Sequence, residues 1–173
     1  MKIAIVGAHG TGKSTLSYKL AAHYKTQGKN VKIVQEVARS CPFPINHGMT
    51  AEAALWIYHE HAKKELEASS KHDVVIGDRS VYDSFIYAEY FELDNYMIAI
   101  LDVIAFAHMK DYDKVIFVRP DLPLQTDGIR SDDEQFQIGV DKIFEDYMAN
   151  VDHVQIKSSQ IFEPGELWKQ SCL

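Results

Sequence analysis

Apolar and polar positions along this chain follow two periods. Five short runs are rich in β-branched and apolar residues: KIAIV (Lys2–Val6), VKIVQE (Val31–Glu36), DVVIGD (Asp73–Asp78), KVIFV (Lys114–Val118) and VDHVQIK (Val151–Lys157). Runs of this length and composition predict strands. Between them the apolar residues recur at helical spacing over Lys13–Gln27, Ala51–Ser69, Ser80–Phe91, Tyr96–Lys110 and Glu134–Asn150, with a short terminal helix over Pro164–Gln170. In Ala51–Ser69 the expected inner face is Ala51, Ala54, Leu55, Tyr58, Ala62 and Leu66, and Thr50 is its cap. Asp83 stands three residues after Ser80, as a capping-box acid does. Gly28–Asn30 reads as a turn, Cys41–Gly48 as a loop with two prolines, and Arg119–Glu134 as a mobile loop with clustered charge. Strands alternating with helices predict an α/β domain over 1–173, a parallel sheet with helices on both faces. Ligands of such sheets sit beyond the carboxyl ends of the strands.

Composition narrows the class. The chain has 46% hydrophobic and 25% charged residues, as a globular domain does. No apolar run reaches the roughly 18 residues of a membrane helix. Met-Lys leading straight into a strand does not read as a signal peptide, and Cys41 and Cys172 make no disulfide framework, so a cytoplasmic setting is expected. The net charge of −7 speaks against a broad nucleic-acid surface. The chain has four arginines: Arg39, Arg79, Arg119 and Arg130. The first three follow strands two, three and four, and the last lies in the loop after strand four. Their planar fork suits phosphate.

The strongest local signal is GAHGTGKS, Gly7 to Ser14, a full match to G-x-x-x-x-G-K-[ST] between a strand and a helix. The amides of Gly7, His9, Gly10, Thr11 and Gly12, with Lys13, Ser14 and Thr15 opening the helix, form a cradle for the phosphates of ATP. Lys13 is expected on the β- and γ-phosphates and the Ser14 hydroxyl on Mg²⁺. Asp78, ending the third strand, is the second candidate ligand for that metal. Glu36 is the candidate general base or hydroxyl-orienting group. Arg79 and Arg130 are candidates to neutralise transferring charge. Arg39, Arg79, Tyr82, Asp83 and Tyr87 join Glu36 as acceptor-binding candidates. Phe43, Trp56 and Phe85 are further aromatics for a base, although core packing is the commoner role of an aromatic on a helix. HEH at His59–His61 does not fit H-E-x-x-H, so no zinc is expected.

Taken together, GAHGTGKS, Glu36-Val-Ala-Arg39, Asp78-Arg79-Ser-Val-Tyr-Asp83 and Asp127-Gly-Ile-Arg130 resemble the P-loop kinases of the nucleoside and nucleotide kinase group. The likeness is nearest to the AAA-type ATPase/kinase domain of bacterial nicotinamide-riboside kinases. It covers about residues 1–157. DRSVYDSFIYA is also similar to the corresponding segments of deoxynucleoside and thymidylate kinases. The resemblance implies a P-loop NTPase three-layer sandwich with a five-stranded parallel sheet in the order 2-3-1-4-5. It implies a lid over about 119–134 carrying Arg130, and an acceptor site under Glu36, Arg39, Asp78 and Arg79. Such lids often carry a second arginine. Here that region reads DDEQFQ, so either Arg119 substitutes or the lid is less engaged with phosphate.

The expected activity is an ATP- and Mg²⁺-dependent kinase acting on a nucleoside, nucleotide or related riboside. Two alternatives stand beside it: a kinase for a hydroxyl within nucleic acid, which a basic groove leading to Arg39 and Arg79 would favour, and an ATPase or nucleotide switch without an acceptor. An acidic pair ending strand three would favour a motor, and here its second position is Arg79; no N-K-x-D is present for a guanine switch. No membrane partner is expected. The apolar helix Tyr96–Lys110 offers a face for a homodimer.

Overall fold

A computed structural model of the chain describes residues 1–93, 96–124 and 133–163. The strands are β1 (Lys2–Val6), β2 (Val31–Val34), β3 (Val74–Asp78), β4 (Lys114–Arg119) and β5 (Val154–Lys157). All neighbours pair in parallel, in the order β2-β3-β1-β4-β5. The helices are α1 (Lys13–Thr26), α2 (Ala51–Ser69), α3 (Asp83–Tyr90), α4 (Tyr96–Met109), α5 (Glu134–Met148) and α6 (Ser158–Phe162).

Strand alternation divides the core into two layers. Ile3, Ile5, Ile116 and Val118 face Leu16, Leu20 and Tyr24 of α1 and Ile161 of α6. Ala4, Val6, Val115 and Phe117 face the other way, onto α2 to α5. Each central strand is buried on both faces, which is why β1, β3 and β4 read as continuous apolar runs. The outer side of α4 leaves Tyr96, Ile100 and Val103 exposed. Among the described residues no helix is long and apolar enough to cross a membrane.

Several boundaries differ from the sequence expectation. β2 ends at Val34, so Glu36 lies in the following loop, and β5 begins at Val154. The Cys41–Gly48 loop contains a short 3₁₀ turn, Asn46–Gly48. α3 begins at Asp83 rather than Ser80, because Ser80 to Tyr82 form a separate turn. α2 has the expected ends, with the Thr50 hydroxyl accepting from Ala53 N–H at 3.3 Å. Its inner face differs: Leu66 is 63% exposed, while His61 and Glu65 are buried. A polar pair there satisfies itself and takes the inward stripe, so hydrophobic spacing misses it. The expected helix over 164–170 lies outside the described residues.

Candidate active site

The turn after β1 is built around close backbone approach. Gly7 has φ +135°, and a Cβ there would lie 2.4 Å from the Val118 carbonyl oxygen of β4. Only glycine meets both conditions. The loop closes into α1 through Gly12 in the left-handed region, so the first amides of α1 point into the turn. Inside it Lys13 Nζ donates to the Ala8 carbonyl and to Thr11 Oγ1. Lys13 is almost fully buried. Burial, and next the charge of Arg79, pull its ammonium down from the ordinary value to about 7, against the pull of Asp83, Asp78 and Glu36. Beside it Ser14 Oγ donates to Asp78 Oδ2 at 2.5 Å, which brings two hard oxygen groups together at the end of β3. Thr15 is on the exposed side of the first helical turn.

Arg79 follows Asp78 with φ +95°, an uncommon conformation for a side chain of this size. Neighbours on every side hold it there. Its N–H donates to the Ile5 carbonyl at 3.1 Å. Asp83 Oδ2 accepts from both the N–H and the hydroxyl of Ser80 at 2.8 Å. The Val81 N–H donates to the Tyr112 hydroxyl at 3.1 Å. Tyr112 in turn donates to Glu65 Oε1 at 2.8 Å, where His61 Nε2 lies 3.1 Å away and Lys2 binds Oε2 at 3.2 Å. Burial opposes the charge on Glu65, but His61, Lys2 and Tyr112 together hold its carboxyl below the ordinary range. The α2 face that hydrophobic spacing mistook therefore anchors the turn that presents Arg79.

The Arg79 side chain is fixed as firmly. Nε donates to Glu36 Oε1 at 2.6 Å, and one terminal nitrogen donates to Asp83 Oδ1 at 3.1 Å and lies 3.4 Å from the Tyr87 hydroxyl. Burial opposes its charge, yet Glu36, Tyr87 and Asp83 outweigh burial and keep the guanidinium protonated. Glu36 Oε2 accepts from Arg39 Nε at 3.3 Å.

Two hollows meet at this pair. One is lined by Thr11, Lys13, Ser14, Asp78, Glu36 and Arg79. The other is a cleft whose polar wall includes His9, Glu36, Arg39, Arg79 and Asp83 and whose apolar wall includes Ile45, Met49, Ile57 and Tyr87. Glu36 and Arg79 line both, and stand between the phosphate loop and the cleft.

Of the residues expected at the site, the structure brings together Lys13, Ser14, Asp78, Glu36, Arg39, Arg79, Asp83 and Tyr87. It does not bring Tyr82: that side chain is 1% exposed, and its hydroxyl donates to Asp102 of α4 at 2.9 Å. Phe85 packs with Tyr82 and Tyr147 in the core. Neither Phe43 nor Trp56 lines the cleft. His9, expected on the nucleotide side, turns its ring toward the cleft and packs on Phe136, while its carbonyl accepts from Gln137 of α5 at 2.7 Å. Arg119, the candidate substitute for a second lid arginine, is held by carboxylates of α5. It ends β4 and runs along α5, bound to Asp141 at 2.9 Å and Glu145 at 2.6 Å. Arg130 and Asp127 lie outside the described residues. Ile45, Asn46, Met49, Ile57 and Ser84 line the cleft without having been expected. The one signal for the first three was the position of CPFPINHGM directly after the E-x-x-R segment.

A family model described as AAA domain matches residues 2–160. No curated protein sequence matches the chain. Among solved structures the chain is similar to thymidylate kinase from Ehrlichia chaffeensis, at 22% identity and TM-score 0.62, over 91% of this chain and 85% of that one. It is also similar to deoxyadenosine kinase from M. mycoides, at 18% identity and TM-score 0.58, over 91% of this chain and 88% of that one. At such identities the likeness is one of fold.

Proposed function

The chain belongs to the AAA-domain family, and from that premise we propose that it is a kinase that transfers the γ-phosphoryl group of ATP to a small nucleoside, nucleotide or related riboside. The observation that carries this reading is the double membership of Glu36 and Arg79, which line both the phosphate-loop hollow and the adjoining cleft. A group bound in one has its reacting end within reach of a group bound in the other. The resemblance in fold to a thymidylate kinase and a deoxyadenosine kinase supports the same class of acceptor.

In this reading the loop amides and Lys13 hold the phosphates. Ser14 and Asp78, whose oxygens meet at 2.5 Å, fit a hard cation and would hold Mg²⁺. When bound, that ion neutralises phosphate oxygens. Arg79 supplies a fixed positive charge at the passage between the hollows. Both oxygens of Glu36 accept from arginines, which fixes the carboxylate where it can align an acceptor hydroxyl. Tyr87, Met49 and Ile57 offer an apolar wall for a base, and Arg39 and Asp83 offer polar contacts to a sugar or phosphate. Arg130, by its place in the sequence, is the lid residue of this scheme.

The test is ADP release from ATP with and without a pooled panel of nucleosides, nucleotides and pyridine ribosides. At least one acceptor is expected to raise the rate, and Glu36→Gln to lower the acceptor-dependent part by about 10²–10⁴-fold. A rate indifferent to every acceptor would favour an ATPase without an acceptor and overturn the kinase reading.

A further inference from the structure

A second depression begins where the cleft ends and runs down the free edge of the sheet. It encloses about 810 Å³ and is lined by Lys32 to Glu36 of β2 and its following loop, by Arg39 and Ser40, and by Lys64, Glu67, Ala68, Lys71 and His72. It shares Glu36 and Arg39 with the cleft. Strand alternation puts Lys32 and Val34 of β2 on one face, and Glu36 lies in the loop just beyond. Val34 packs on Ala68, so that face looks toward α2. Lys32 lies four residues back from Glu36, toward the start of β2. Across from it, Lys64 and Ala68 lie one turn apart on α2, and Lys71 follows in the turn just past the end of that helix. The small Ala68 keeps the floor low between them.

The charge of this groove runs against that of the whole chain. Lys32, Arg39, Lys64 and Lys71 face two carboxylates, Glu36 and Glu67, in a protein of net charge −7. Glu36 is already held by Arg79 and Arg39. Lys32, Lys64 and Lys71 are exposed and make no ion pair among the described residues. Three unneutralised ammonium groups line one groove that meets the cleft at Glu36 and Arg39, a setting that favours a ligand with more than one anionic group.

We propose that this groove holds a phosphate-bearing extension of the acceptor. The nucleoside end sits in the cleft, and phosphodiester or pyrophosphate groups follow Arg39 toward Lys64, Lys32 and Lys71. A dinucleotide or the end of a single nucleic-acid strand has that chemistry. The inference rests on the kinase reading and adds to it what lies behind the reacting hydroxyl.

The experiment compares KM in acceptor-dependent ADP release for three probes: mixed nucleosides, mixed dinucleoside monophosphates, and a random hexanucleotide with free hydroxyl ends. It uses the wild type and Lys32→Gln/Lys64→Gln/Lys71→Gln, whose three sites are exposed; thermal unfolding checks that the variant is folded. In the wild type the extended probes are expected to have the lower KM. For the hexamer, with three contacts to single-strand phosphates, that advantage falls about 20-fold between 50 and 200 mM salt, and for the dinucleoside monophosphates, with one phosphate, by about 2–3-fold. The triple variant is expected to lose the advantage and its salt dependence while its KM for nucleosides stays as it was. A further gain from dinucleotide to hexamer assigns the groove to a strand end, and equal values assign it to a dinucleotide. Extended probes no better than nucleosides, or a variant equally impaired for all three, would overturn the groove while leaving the kinase reading intact. If no probe stimulates ADP release, the kinase reading is decided by the full acceptor panel and the groove by binding alone. Anisotropy of the labelled hexamer then decides the groove: binding lost in the triple variant supports it, and no binding to the wild type overturns it.

Discussion

Lys13 is a cation kept where a cation is costly. Its burial lowers the ammonium to about 7. A phosphate group arriving at the loop supplies the missing counter-charge and raises it again. Binding therefore takes up a proton at pH values above about 7, and the sign follows. ATP affinity is expected to be flat below that pH and to weaken as pH rises, by up to about tenfold per unit where Lys13 is neutral before binding. In Lys13→Met the affinity is expected to be low, without that slope. Calorimetry in two buffers of different ionisation enthalpy measures the proton uptake directly; none at pH 8.5 in the wild type would remove Lys13 from the phosphate site. This residue was legible in the sequence, because its position in the G-K-S turn fixes its surroundings. So were Asp78, which ends β3, and Arg79 and Glu36, which sit just past strand ends. Tyr82 was not. The motif D-R-S-V-Y-D does not say where the helix begins. Because it begins at Asp83, the positions Asp83, Ser84 and Tyr87 face the cleft, and Tyr82 swings to α4.

At the scale of elements, two helices hold the site from behind. α2 does so with a buried polar network rather than an apolar stripe, which is why hydrophobic periodicity put Leu66 inward. Tyr112→Phe removes the hydroxyl shared by Val81 N–H and Glu65. A buried donor left without its partner costs about 1–3 kcal/mol, to be read from denaturant unfolding. The turn it releases carries Arg79, so turnover is expected to fall more than ATP affinity. Equal stability and equal turnover in Tyr112→Phe would detach the network from the site. α5 approaches from the other side, through Gln137 on the His9 carbonyl and Phe136 on the His9 ring. Its Gly139 looked like a weakness in a helical pattern. The structure supplies the reason: a Cβ there would lie 2.3 Å from the Tyr90 ring, itself packed on Phe136. Gly139→Ala gains helix propensity of about 1 kcal/mol but must displace that ring, and the net effect expected is a loss of about 1–2 kcal/mol. A more stable Gly139→Ala would mean that Tyr90 yields freely.

For the molecule as a whole, the fold was the most legible part. Five apolar runs separated by helical spacing leave few arrangements other than a parallel sheet. The order β2-β3-β1-β4-β5, carried by the motif resemblance rather than by the runs, is the one observed. That order sets β1, with its phosphate loop, between β3 and β4, and brings the ends of β2 and β3 together as one wall. The cleft was less legible because part of its apolar side, Ile45 and Met49, comes from a segment whose pattern has no period to read. The groove down the β2 edge was not legible at all, since Lys32, Lys64 and Lys71 meet only through tertiary packing.

The central claim is that phosphate passes from the loop to a molecule in the adjoining cleft, across Glu36 and Arg79. Single-turnover reaction with ATP labelled in the γ-phosphoryl group, in the presence of the acceptor panel, tests it most directly. The label is expected to appear on an acceptor in the wild type and to be lost from it in Glu36→Gln. Label recovered only as free phosphate, whatever acceptor is present, would contradict the account.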